Sequence, residues 1–387
     1  MLIAGVGLAV PVGAACGATT PNGPPPPPVD GGPPDAGPDI DATDAPPDVP
    51  PTQTALVVDV SHSGAVVNDV VQDGPVSQIV ARGMIELTGK TTPTEAWSSL
   101  FDAQDVVGIK VSPVGWPKVF SQVATVKAII AGLNLAGVTN DQIIVFDRYQ
   151  SYLDAIGYPA QLPTGIRFMT SAAGYTEDQT DPTGGYDVTQ YADILPVYPG
   201  DDPTNPLKRR SHLSNIVSNV VTKVVNVPAL KDHRSAGLTL ALKNMTYGCV
   251  NNVSRTHVPP DNWTKDFLPV IAAMPKLRQK VVLHVADALI AGYEGGPEYG
   301  GPSFKSFVRS SLLFARDPVA LDRIGWEIID AERTKNGLPL LANSGLKLTN
   351  AGNEAFDERQ PQHVLQAGAA GLGISDLTKI EHRLVAL

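Results

Sequence analysis

Lys231-Asp232-His233 and, ten positions after the histidine, Lys243-Asn244 set two ammonium groups, a carboxylate, an imidazole and an amide among apolar residues. An ammonium in such surroundings must meet an anion, reach water along its own stem, or give up its proton. Lys231 and Lys243 are therefore candidates to hold a carboxylate or phosphate, or to act as a base, with His233 moving a proton. Asn244 offers an amide to the same pocket or to a helix end. Thr239 precedes Lys243 by one helical turn, so a helix through Gly237–Met245 would set its hydroxyl on the lysine's face.

A second chemistry is open to the histidines. His233 and His257, with Asp287 or Glu294, have the donor types of a site for a divalent metal, although no HExxH-like local spacing ties them together. Without a metal, the same imidazoles would serve as general acid or base, tuned by Asp232 or Asp287. His284 lies three residues before Asp287, on the opposite face of a regular strand, and reads as core. Cys249 in Tyr-Gly-Cys-Val has no activating base nearby and reads as a buried thiol.

The elements that must position these groups alternate in type. Strand-like runs occupy 55–60, 106–111, 143–147, 221–227, 281–286 and 311–315. Ser121 to Leu133 spaces its apolar residues three and four apart and is followed by Gly137, a helix stop. Asp317-Pro318 reads as a cap and first turn of a helix to about Lys335, and Pro361 opens a last helix ending near Gly371. Strand, helix, strand at this spacing predicts an α/β domain, a mostly parallel sheet with helices on both faces. Residues 171–210 and 292–305, rich in Gly, Pro and Asp, read as long loops. Ligands of such sheets bind beyond the carboxyl ends of the strands. There the chain delivers Lys110, Asp147-Arg148, Lys231-Asp232-His233 and Asp287, so Lys110, Asp147 and Arg148 join the candidate ligand-binding residues.

Composition narrows the classes. The net charge of −10 over 387 residues excludes a basic face for nucleic acid. No apolar run reaches the roughly 18 residues of a membrane span. Residues 17–54 hold 13 Pro and 6 Asp with no Lys, Arg or Glu, so they carry more than half of that charge and read as a disordered, extended spacer. Residues 1–16 are uncharged and largely apolar and end in Gly13-Ala14-Ala15-Cys16, which reads as an export signal with a lipoprotein processing site at Cys16. The expected organisation is thus a signal over 1–16, a spacer over 17–54 and an α/β domain over 55–387. The protein would be exported to the cell envelope or secreted, touching membrane only through a lipid at Cys16.

Longer blocks carry a resemblance. Val224-Val-Asn-Val-Pro-Ala-Leu-Lys-Asp-His and Ala236-Gly-Leu-Thr-Leu-Ala-Leu-Lys-Asn-Met-Thr-Tyr-Gly resemble the signature of the family called domain of unknown function 362. Val107-Gly-Ile-Lys-Val, Ile144-Val-Phe-Asp-Arg, Gly295-Gly-Pro, Asp317-Pro-Val-Ala-Leu-Asp and Gly371-Leu-Gly-Ile follow in family order. The resemblance implies a fold and a shared site without a named reaction, and it adds Asp322 to the ligand-binding candidates. Some members carry ferredoxin-like cysteine clusters; Cys249 is the one cysteine after residue 54, so a four-thiolate iron–sulfur cluster within this chain is not expected.

Two functional classes follow. One is an exported enzyme whose Lys110, Lys231 and Lys243 hold a small anion while His233 or His257 moves a proton, with or without a divalent metal. The other is a surface-tethered protein that captures a ligand or metal without chemistry. The N-terminal expectation has a direct check: mass spectrometry of the mature protein should find Cys16 as a lipidated first residue, and an intact Met1 would refute it.

Overall fold

The computed structural model describes residues 54–174, 182–195, 197–198, 200–257, 263–297, 303–343 and 361–387, with the side chain of His257 excepted. The signal, Cys16 and the spacer lie outside the described residues. Ten strands form one sheet: β1 (Ala55–Ser61), β2 (Val107–Lys110), β3 (Ile143–Tyr149), β4 (Arg167–Ala172), β5 (Lys223–Asn226), β6 (Ala229–His233), β7 (Gly237–Thr239), β8 (Val281–Glu294), β9 (Lys305–Ala315) and β10 (Ile380–Ala386). The order across it is β10-β1-β9-β8-β5-β2-β3-β4, with β6 and β7 attached beside the far half of β8.

From β8 to β4 every neighbouring pair is parallel. β9 runs against both β1 and β8, and β10 lies parallel to β1 along the edge. This is the expected mostly parallel sheet. Both of its faces are covered because alternate residues of each strand point to opposite sides. Val58, Val60, Ile109, Val145, Val285 and Phe314 pack under helices α1 (Asp73–Thr88) and α2 (Val123–Leu135). Ile144, Phe146 and Val224 face the other way, toward the side where α3 (Ala241–Tyr247) and α4 (Thr264–Ala272) lie. Val57, Ala286 and Leu313 meet α5 (Pro318–Lys335) on that same side. No described helix is long and apolar enough to cross a membrane.

Local chemistry fixes the helix ends. Asp317 caps α5 by accepting from Val319 N at 2.8 Å and Ala320 N at 2.9 Å, with Pro318 in the first turn as read from sequence. Gln122, which opens α2, has no side-chain cap of its own. Asp287 supplies one from β8: its Oδ2 accepts from Gln122 N at 2.8 Å and Thr125 Oγ1 at 2.7 Å.

Several elements differ from the sequence reading. β8 and β9 reach well beyond the short runs 281–286 and 311–315: β8 runs on through residues buried on both faces, which need no apolar alternation, and β9 begins earlier in the partly exposed Lys305–Ser310. Within 171–210, a strand at Tyr186–Asp193 pairs with Arg210–Ser214, so that stretch is no simple loop. Gly237–Met245 is not one helix; β7 ends at Thr239 and α3 starts at Ala241.

Asp287 generates a test of this packing. Burial pushes its carboxyl up to about 6, against the hydrogen bonds that pull it down. A carboxyl that binds its proton more tightly when folded makes stability fall as pH rises, here between about pH 4 and pH 6. Asp287→Asn should therefore lose about 2 kcal/mol less than wild type between pH 4 and pH 7 in urea unfolding. Equal losses would show that Asp287 is not the group responsible.

Candidate functional site

Strand order reverses between β2 and β5. From β2 the chain crosses outward through α2 to β3 and then to β4, and later re-enters on the other side of β2 as β5. At such a reversal the connections leave in opposite directions and open a crevice at the carboxyl ends of the strands. Lys110 ends β2 and Asn226 ends β5, and the two are paired in register.

Lys110 is 1% exposed, and all three of its donors are engaged. Its Nζ lies 2.6 Å from Asp147 Oδ1, donates to Val111 O at 2.7 Å and donates to Asn244 Oδ1 at 3.1 Å. Asn244 in turn donates to Asn226 Oδ1 at 2.7 Å and to Lys110 O at 3.3 Å. Asn226 Nδ2 donates to Ala241 O at 3.0 Å and lies 3.0 Å from His284 Nδ1. Burial holds His284 down at about 3, so the ring is neutral and accepts this bond as a core residue. The chain of contacts thus runs from β3 through β2 and α3 to β5 and β8. Gly248 closes it from above: a Cβ there would sit 2.2 Å from Lys110 Nζ. A side chain at 248 would therefore force the Lys110 ammonium to shift from this position.

Above this floor lies a pocket of about 150 Å³. Its walls include Lys110, Asp147, Arg148, Lys231, His233, Thr239, Lys243 and Asn244, eight of the residues singled out from sequence. The β6–β7 hairpin explains three of them. Lys231 pairs with Thr239 and His233 with Gly237, so alternation sends Lys231, His233 and Thr239 to one side. Asp232 points away and accepts from Gly296 N at 3.0 Å, fixing the loop that brings Pro297 to the pocket wall. Thr239 and Lys243 do share this pocket, by the strand–helix junction rather than by one helical face.

The imidazole of His233 has a defined tautomer. Nδ1 accepts from Ser235 N at 3.0 Å and Ala236 N at 3.2 Å, so the proton of the neutral ring is on Nε2. In that form His233 can donate through Nε2, while its one acceptor nitrogen is already committed to backbone. Thr239 Oγ1 is buried and has no hydrogen-bond partner among the described residues. Lys243 Nζ sits 3.9 Å from the centre of the Tyr247 ring, one turn along α3, in a cation–π contact. Arg148 donates to Tyr247 O.

Other candidates stand elsewhere. Asp322 does not line the pocket; it accepts from Ala241 N at 2.6 Å and Leu242 N at 3.2 Å, capping α3 from α5. Its part is to position the helix that carries Lys243 and Asn244. Asp287 is spent on α2 and Leu289 N, and on its strand it pairs with Ala229, four residues before His233. That offset, roughly 13 Å of strand, keeps the two from sharing an ion. The side chain of His257 lies outside the described residues. Among the described residues no group of three His, Cys, Asp or Glu could hold a metal. Cys249 is buried and its thiol pushed up to about 12, which leaves it inert.

A family model described as domain of unknown function (DUF362) matches residues 117–327, more than half of the chain. The chain belongs to the DUF362 family. A search of curated proteins finds no match. Among solved structures, a protein from Thermotoga maritima is similar at 8% identity and a TM-score of 0.33, covering 63% of this chain. The present chain spans 56% of that protein's length. The DUF362 match includes β3 to β8 and α3, and so most of the pocket, while Lys110 lies just ahead of it.

Some DUF362 site residues escaped the sequence reading. Asn226 was legible as an amide inside Val-Val-Asn-Val, and Tyr247 as the aromatic one turn after Lys243. Gly248 gave no signal, because only the approach of Lys110 makes it necessary. The floor yields a clear expectation. Lys110→Met would leave Asp147 buried without its counter-charge and should cost about 3–5 kcal/mol in urea unfolding, most of it recovered in Lys110→Met/Asp147→Leu. A loss under about 1 kcal/mol would show that the pair is not the keystone of the floor.

Proposed function

We propose that this pocket binds a small anionic molecule. One observation carries the reading: among the described residues, the lining holds four cations, Lys110, Arg148, Lys231 and Lys243, against the single carboxylate of Asp147. Asp147 is paired with Lys110, and Arg148, Lys231 and Lys243 add their guanidinium and ammonium groups to the same lining. Lys231 is 1% exposed, where the effective dielectric is low and an anion gains more than it would at the surface. The position at the strand reversal supports the same reading, because crevices there are open to ligands. Our proposal includes export and tethering through Cys16, supported by the apolar leader and the acidic spacer.

Capture and catalysis remain distinct readings, and the tautomer of His233 favours capture. A neutral ring whose acceptor nitrogen receives two backbone N–H groups donates to a ligand but does not take its proton. Catalysis would then fall to Lys231 or Lys243 as base, with Asn244 holding the floor beneath them.

Thermal unfolding of the full chain with a panel of small carboxylates and phosphates tests the proposal. At least one anion should raise the midpoint by several degrees, as linkage requires at concentrations about a hundredfold above Kd. Lys231→Met and Lys243→Met should each remove most of that shift. No shift with any anion at 10-millimolar levels, roughly the weakest binding worth the name, would reject an anion site.

A further inference from the structure

A second concavity lies outside the anion pocket and shares no lining residue with it. It is an open groove of about 580 Å³, within the roughly 300–1,000 Å³ of small-molecule clefts. Trp116 lines it and is 43% exposed. So large an aromatic ring in water is unusual, and the turn that carries it is tightly braced. Trp116 N donates to Pro113 O at 3.0 Å and Val119 N to Gly115 O at 2.9 Å. Ser121 Oγ ties the base of the turn, accepting from Ser112 N at 2.7 Å and donating to Val227 O at 2.6 Å. Gly115 has a φ of +112°, and a Cβ there would sit 2.2 Å from Val119 O, so the turn requires glycine. Trp116 is thus presented on a fixed support.

The charged part of the lining is balanced. Asp69 sits in the turn of a hairpin that pairs Val66–Val67 with Val70–Val71, where Asn68 and Asp69 both have the positive φ of a type I′ turn. Lys118 Nζ lies 3.5 Å from Asp69 Oδ2, and Lys127 Nζ of α2 lies 2.9 Å from Asp73 Oδ2 at the start of α1. These are the charged residues of the described lining, and their charges cancel. The carboxylates of Asp69 and Asp73 nevertheless stay 64% and 62% exposed, so ligand hydroxyls can reach them. Gln161 lines the same groove; its Nε2 donates to Ile156 O at 2.9 Å, which leaves its carbonyl oxygen to accept.

An aromatic platform ringed by donors and acceptors of no net charge matches a molecule with an apolar face and a rim of hydroxyls. We propose that this groove binds a neutral pyranose unit of an oligosaccharide. The C–H face of one sugar ring stacks on Trp116, and its hydroxyls bond to Asp69, Asp73, Lys118 and Gln161. A charged sugar gains nothing over a neutral one from a lining whose charges cancel. The site concerns recognition alone, and it stands or falls separately from the anion pocket.

Isothermal titration of the full chain with cellohexaose, maltohexaose, xylohexaose and chitohexaose tests this. At least one should bind with a Kd of about 1 mM or tighter. Trp116→Ala should weaken that binding by roughly tenfold or more, while Trp116→Tyr, which keeps an aromatic face, should retain most of it. The pair separates a lost platform from a disturbed turn. Gln161→Ala should weaken binding about fivefold, the worth of one neutral hydrogen bond. No binding of any of the four at about 10 mM would overturn the proposal, as would wild-type affinity in Trp116→Ala. An oligogalacturonate that binds more than about tenfold more tightly than all four would overturn the preference for a neutral ligand. Self-association of the wild type in sedimentation, lost in Trp116→Ala, would make a second copy the occupant and overturn the saccharide site.

Discussion

An ammonium with 1% exposure at the centre of a parallel sheet is the constraint around which the rest of this structure is arranged. Lys110 cannot remain charged there without compensation, because an unpaired buried charge costs several kcal/mol. Asp147 from the next strand, the carbonyl of Val111 and the amide of Asn244 supply that compensation. Each supplier is in turn fixed by something else. Asn244 needs α3 in one place, α3 is held at its start by the Asp322 carboxylate, and Asn226 bonds the first carbonyl of that helix. The polar floor therefore locks the helix to the sheet by directional bonds, where apolar packing alone would allow it to slide.

That division of labour clarifies which carboxylates serve structure and which the pocket. Asp287 and Asp322 look alike in sequence, acids in apolar surroundings near the expected rim. Both turn out to cap helices that lack a side-chain cap of their own, α2 and α3. Neither lines the pocket, yet both place the elements that form it. Asp147 differs only in having an ammonium within reach.

Much of this was readable beforehand, and the reasons are physical. Short β-branched runs followed by helical periods announce crossovers, and crossovers gather strand ends on one rim. Hence Lys110, Asp147, Arg148, Lys231, His233, Thr239, Lys243 and Asn244 could be named from type and position alone, and they meet in one pocket. What stayed hidden depends on distance in space. The strands β6, β7 and β10 are short or polar and bear no clear alternation, so only their partners define them. The capping roles of Asp287 and Asp322 join residues 165 and 81 positions apart, beyond what local spacing can report. The neutral tautomer of His233 depends on the turn after it, whose path the residue types alone do not specify.

The first strand of the sheet has a mechanical meaning. β1 lies between β9 and β10, hydrogen-bonded along its length to both, and it runs in the same direction as β2 and β8. Its first residue, Ala55, is consequently at the end of the sheet away from the pocket rim. A pull applied to the chain ahead of Ala55 acts along the strand and loads both ladders in shear, all bonds together, where a sideways pull would unzip them one at a time. A load entering through Ala55 would thus meet the sheet in its strongest geometry, at the end opposite the pocket.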